Sequence, residues 1–417
     1  MRLIYPIIAI LLWNCNPTEK KAADIINGDH LHHLYESFVK DGKEIGTIWI
    51  YCEAPDYHLV TDDDEGYTCV DDVARSLVFY AKEYENSPND SILNKIIPLT
   101  RFVLDMQAEN GFFYNFIFPD KSINKTHENS VAEANWWSWR AFWSLSELMK
   151  LENAQLDDIK IEAQTALDDL LPHMIEICVD RTDTFMIEGI SSPICIREMG
   201  GDQVALVMIG LSNYYKLHPD QAVRDQLINL GEILMAQQLG AVDTFPYYAS
   251  MSWQNIWHGW GNSQAYALLK TGAIVNDDRM IEAGLREVLN FFPHFLSEKP
   301  SYFRLAKSPG GYEVLETDRF PQIAYNLRPM IYAAIEAYRL DPKEEYKEIA
   351  LELGDWFFGS NQAGVTMYDY ATGRTFDGIV SPEQVNRNSG AESTIEALLS
   401  IQALREFTEW TNRHLKK

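Results

Sequence analysis

Carboxylates stand at Asp71 and Asp72, at Glu128 and Glu133, at Glu198 and Asp202, at Glu316 and Asp318, and at Glu392. Each group sits at or just before an apolar run rich in small residues, and a sixth such run is led by His258 and Gln264. Aromatic side chains crowd the same places, notably Trp136 and Trp137 near the second run and Tyr247, Tyr248, Trp253, Trp257 and Trp260 near the fourth. Arg197, Arg304, Arg319 and Arg387 lie close by. Indole and phenol rings can lie flat on the C–H faces of sugars while carboxylates and amides bind hydroxyls. Paired carboxyls can cleave a glycosidic bond: one protonates the leaving oxygen, and the other acts from about 6.5–9.5 Å away through a water when configuration inverts. Any single Asp or Glu in a first helical turn is equally well read as a cap or a dipole partner.

The elements that would position these residues alternate along the chain. Six apolar helices start near Asp71, Glu133, Gly201, Asn262, Pro321 and Glu392, a period of about 60–70 residues. Six one-sided amphipathic helices are predicted at about 22–42, 91–109, 157–178, 220–239, 278–297 and 343–358. Helices apolar all round belong inside and one-sided helices outside. Repeated helical hairpins of this kind form stacked or closed arrays. The expected fold is therefore all-α: an (α/α)6 toroid of six helical hairpins over residues 22–417, with short β or irregular segments in the loops of one face. An open solenoid is the alternative. Long connections at 43–70, 110–132, 179–200, 240–261, 298–320 and 359–391 lead into the inner helices, whereas the returns are tight. Long loops gathered on one face of a rigid scaffold are where function concentrates.

Composition narrows the partners. The 417-residue chain carries 35 Lys and Arg against 61 Asp and Glu, a formal charge of -26, which repels nucleic-acid and lipid phosphates. Residues 1–15 read as a secretory signal of lipoprotein type and 16–21 as a short tether. Export to the periplasm or the outer membrane surface is expected, with membrane attachment only through a lipid anchor at Cys15, and the chain is expected to act as a monomer. Cys52 with Cys69 and Cys178 with Cys195 could each form a disulfide or be small buried residues. His30, His32 and His33 read as a helix surface, and Asp62–Glu65 as a solvated acidic loop rather than a calcium site. No metal and no cofactor is implied.

The segments GYTCVDDVARSL, FVLDMQAENGFFYNFI, EANWWSWRAFWSLSEL and NSGAESTIEALLSIQ resemble exported bacterial six-hairpin glycosidase-like proteins. The resemblance implies an (α/α)6 fold and carbohydrate chemistry, without fixing a numbered glycoside hydrolase family.

The expected activity is hydrolysis of a glycosidic bond in an oligo- or polysaccharide, probed by four catalytic candidates. Glu128 or Glu133, beside the Trp pair, is expected to be the acid. Asp72 or Asp202, in first helical turns where the dipole lowers a carboxyl pKa, is expected to be the base. Asp71, Trp136, Arg197, Glu198, Tyr247, Trp253, Trp257, His258, Gln264, Asp318, Arg319 and Glu392 are the expected substrate-binding residues. Two alternatives stay open. One is a polysaccharide lyase, using Tyr247, Tyr248 or His258 as base and Arg304 to neutralise a uronate. The other is a glycan-binding lipoprotein without catalysis.

Overall fold

In the computed structural model, residues 25–178 and 183–415 are described. The expected signal and tether at 1–21 lie outside them. In chain order the helices are α1 (Asp29–Leu34), α2 (Val70–Asn86), α3 (Asp90–Asp105), α4 (Trp136–Leu148), α5 (Asp157–Glu176), the turn-length α6 (Ile196–Met199), α7 (Gly201–Leu217) and α8 (Gln221–Ala236). They continue with α9 (Gln264–Val275), α10 (Asp278–Glu298), α11 (Ala324–Leu340), α12 (Glu344–Asp355), α13 (Ala391–Leu404) and α14 (Thr408–Leu415).

The inner ring consists of α2, α4, α7, α9, α11 and α13. Each packs on the next, and α13 closes back onto α2. Their sequences explain the placement. Almost every side chain from Val204 to Tyr214 of α7 and from Ala391 to Leu404 of α13 is buried, which only a helix surrounded by others can satisfy. Around the ring, α3, α5, α8, α10 and α12 each pack on an inner helix and bury one stripe; the buried Leu93, Ile96, Leu99 and Val103 of α3 follow its helical period.

The sixth outer position departs from expectation. In place of an amphipathic helix over 22–42, the chain makes α1 and then an antiparallel hairpin, Tyr35–Lys40 with Lys43–Ile48, which packs on α3. Asp41 and Gly42 both have positive φ, as a two-residue hairpin turn requires. The C-terminal α14 covers the other flank, with Trp410 fully buried and its indole N–H donating to Asp355 at 2.7 Å. His30 is also buried, against the Ser389 carbonyl, rather than on a helix surface.

Short strand pairs occupy the long connections into the inner helices, including the three-stranded sheet Ile256–His258, Tyr302–Ser308 and Gly311–Asp318. Cys178 and Cys195 form a disulfide, whereas Cys52 and Cys69 are free and buried.

Candidate active site in the bowl of the toroid

The N-terminal ends of the inner helices surround a bowl of about 810 Å³. Its walls are built by Asp71 and Asn115, by Trp136, Trp137 and Arg140, by Arg197, Asp202 and Gln203, by Trp253, His258 and Trp260, and by Tyr325 and Glu392.

Adjacent residues diverge at the head of α2. Successive helical positions point about 100° apart, so Asp71 faces the bowl while Asp72 turns into the wall. Asp71 lies 2.6 Å from the Arg140 guanidinium and accepts from Asn115 Nδ2 at 3.4 Å. Arg140 also donates to Tyr325 Oη at 3.0 Å. Asp72 is only 2 % exposed and is held by Arg75 at 2.7 Å and by the Cys69 thiol at 3.2 Å. Burial pushes its carboxyl up to about 6, against the pull of Arg75. The expected lowering by the helix dipole is overturned, and Asp72 does not line the bowl.

Asp202 opens α7 and does line the bowl, yet only 6 % of it is exposed. One oxygen accepts the Gln203 backbone N–H at 2.6 Å, and the other lies 3.3 Å from His258 Nε2. Burial raises its pKa, and the hydrogen bond from His258 only partly offsets this. The dipole argument fails here too, because desolvation outweighs a helix end. Trp260 stacks on the His258 ring at 4.6 Å. A Cβ on Gly261 would stand 2.6 Å from the His258 ring and 2.8 Å from Asp202, so glycine lets the chain pass this pair.

Arg197 reaches the rim through a run of left-handed backbone, with φ of 49°, 66° and 114° at Arg197, Glu198 and Met199. Such a run is costly for residues with a Cβ. It is pinned by Trp253, whose indole donates to the Arg197 carbonyl at 3.0 Å, and by Gln254, which donates to Glu198 at 3.2 Å. Trp253 and Trp260 are 39 % and 40 % exposed, so both offer a ring face at the mouth.

Other expected site residues lie elsewhere. Glu128 is exposed and outside the bowl lining. Glu133 is ion-paired with Arg197 in a neighbouring surface depression, not set in an apolar pocket. Trp257 is 1 % exposed and stacks on Phe303, directly across the strand pair. Gln264 is buried and donates to the Met251 and Gly261 carbonyls. Tyr247 packs on Phe245 and His294, away from the bowl. Glu198, Asp318 and Arg319 are exposed and do not line it, Arg319 being paired with Glu298. Conversely, Arg140, Tyr325, Asn115 and Gln203 were not among the expected binding residues. An arginine one turn after Trp136 in an otherwise apolar helix was the available signal. Asp62–Glu65 is an exposed turn in which Asp62 accepts the N–H groups of Asp64 and Glu65. Among the described residues no cluster of His, Cys, Asp and Glu is arranged to hold a metal ion.

No protein-family model matches the chain, and no curated protein matches it by sequence. Its structural neighbours are sugar epimerases and glycoside hydrolases of (α/α)6 type. A sugar epimerase from a ruminal bacterium superposes with a TM-score of 0.62 at 13% identity, over 90% of this chain and 95% of that one. Cellobiose 2-epimerase from Bacillus thermoamylovorans gives 0.61 at 9% identity, over 89% and 94%. A family 76 α-mannanase from Bacteroides thetaiotaomicron gives 0.52 at 9% identity, over 83% and 88%. At such identities the likeness is one of fold: this chain is a helical toroid of the (α/α)6 kind.

Proposed function

We propose that this chain is a carbohydrate-active enzyme that hydrolyses a glycosidic bond of an oligo- or polysaccharide in the bowl. The observation that carries the reading is Asp202. It is a carboxyl whose pKa burial raises, in a water-accessible cavity with two further carboxylates and exposed indoles. A carboxyl kept protonated can donate to a leaving oxygen. Asp202 is therefore assigned as the acid, reversing the expectation that it is the base. Glu392 is the base: its side chain is 43 % exposed, and Arg75 engages one oxygen at 3.0 Å. The other oxygen can take a proton from water. Asp71, fixed by Arg140, receives sugar hydroxyls, and Trp136, Trp253 and Trp260 support the ring faces.

A second reading, epimerisation next to a sugar carbonyl, is favoured by His258, whose imidazole touches Asp202 and could carry a proton to and from carbon. Three fold neighbours are sugar epimerases. Incubating the purified protein with a glycan panel in heavy water separates the readings. Hydrolysis gives new reducing ends without carbon-bound deuterium. Epimerisation gives deuterium at C2 without new ends, and a lyase gives alkene absorbance. None of these products on any substrate would overturn enzymatic function and leave glycan binding. Export and lipid attachment at Cys15 belong to the same proposal, and radiolabelled palmitate should enter the wild type but not Cys15→Ser.

A further inference from the structure

The toroid axis is closed below the bowl. Glu396, fully buried, accepts from Arg328 Nε at 2.6 Å and from Arg75 Nη1 at 3.1 Å. Beyond this ionic cluster, at the C-terminal ends of α2, α11 and α13, a second cavity of about 370 Å³ opens to the opposite face. It has room for about a dozen waters, or for a monosaccharide-sized molecule.

Its lining holds polar groups that the fold does not use. Tyr332 is 5 % exposed and its hydroxyl has no hydrogen-bond partner; Gln402 is 7 % exposed and its Oε1 has none either. Lys82 stands 4.9 Å over the Tyr332 ring, and among the described residues its ammonium makes no ion pair or hydrogen bond. Burial opposes its charge, but Tyr332, Glu147 and Tyr266 hold the ammonium above its ordinary pKa. The outer cations are already matched, Arg339 by Glu406 at 2.9 Å and Arg405 by Glu83 at 3.2 Å. A half-buried ammonium with no direct carboxylate contact, beside a free hydroxyl and a free amide oxygen, suits an anion that also carries hydroxyls.

We propose that this cavity is a second ligand site, for a small polyhydroxylated carboxylate of the sugar-acid class. The carboxylate meets Lys82, and hydroxyls meet Tyr332 Oη and Gln402 Oε1. The ionic cluster separates this site from the bowl, so the two bind independently.

Calorimetric titration of the full chain at neutral pH with D-glucuronate, and with D-glucose as the neutral control, tests this. Wild type should bind glucuronate and not glucose. Lys82→Met and, as a milder change, Tyr332→Phe should each weaken binding about tenfold or more, the scale of one lost charge-assisted or neutral hydrogen bond, while Asp71→Asn leaves it unchanged. No glucuronate binding by wild type, equal binding of glucose, or binding that survives Lys82→Met but is lost in Asp71→Asn would each overturn the assignment.

Discussion

Glu392 and Glu396 are one helical turn apart on α13, and both bind the same guanidinium, Arg75. Glu396 is fully enclosed and shared with Arg328, and these two arginines hold its pKa below the carboxylate norm although burial works the other way. Glu392 has a side chain 43 % exposed to the bowl. The pair Asp72 and Asp71 repeats the contrast on α2, one in the wall and one in the bowl. Two layers of similar charges thus share the toroid axis. In the lower layer every carboxylate is consumed by arginine, and the layer serves as a floor. In the upper layer the carboxylates face the bowl, and Glu392 keeps one oxygen without a protein partner among the described residues. On the proposed assignment, chemistry depends on which carboxylates face the bowl, not on how many acidic residues cluster.

Substitutions can break this contrast, and the largest effect is expected at Asp202. Asp202→Asn should lower turnover by about 10²–10⁴-fold, the range for loss of a general acid, with little change in the melting temperature. It should also remove the alkaline limb of the pH–rate profile. As the proposed acid, Asp202 acts when protonated, so wild-type activity should fall as pH rises through its raised pKa. Glu396→Gln comes next and acts on stability: with both arginines left in the floor, urea unfolding should show a loss of about 3–5 kcal/mol. Glu392→Gln should reverse that pattern, cutting turnover strongly but costing under about 1 kcal/mol, as expected of a solvent-screened pair.

The last effect concerns Asp72. Its folded pKa of about 6 lies above the unfolded value of about 3.9. The native state therefore binds the extra proton, and stability falls as pH rises from about 4 to about 6. Asp72→Asn should flatten that part of the stability–pH curve, by up to about 3 kcal/mol. An unchanged slope would assign it to other groups.

Much of this architecture was legible in the sequence because it rests on local pattern. The inner helices are apolar on every side, and a buried α7 or α13 has no other reading. The collection of long connections at one mouth follows from alternation alone. What was not legible depends on tertiary burial. Asp72 and Asp202 both lie in first helical turns, and only packing shows that desolvation governs both and that one is walled in. Trp257 looked like a rim tryptophan because its neighbours in sequence are polar, but its strand faces Phe303 and the aromatic core. Glu133 stood beside the Trp pair in sequence, yet Arg197 arrives from a distant loop to claim it. The hairpin at 35–48 was readable from Asp41-Gly42 between strand-forming residues; a helical reading of the preceding histidines obscured it.

The most direct test is the structure of Asp202→Asn crystallised with an oligosaccharide that the wild type turns over. The account predicts a sugar chain in the bowl, rings against Trp136, Trp253 or Trp260, with a glycosidic oxygen within hydrogen-bond reach of the residue 202 side chain and a water on Glu392. A sugar bound elsewhere, or lying in the bowl with its linkage away from both residues, would contradict it.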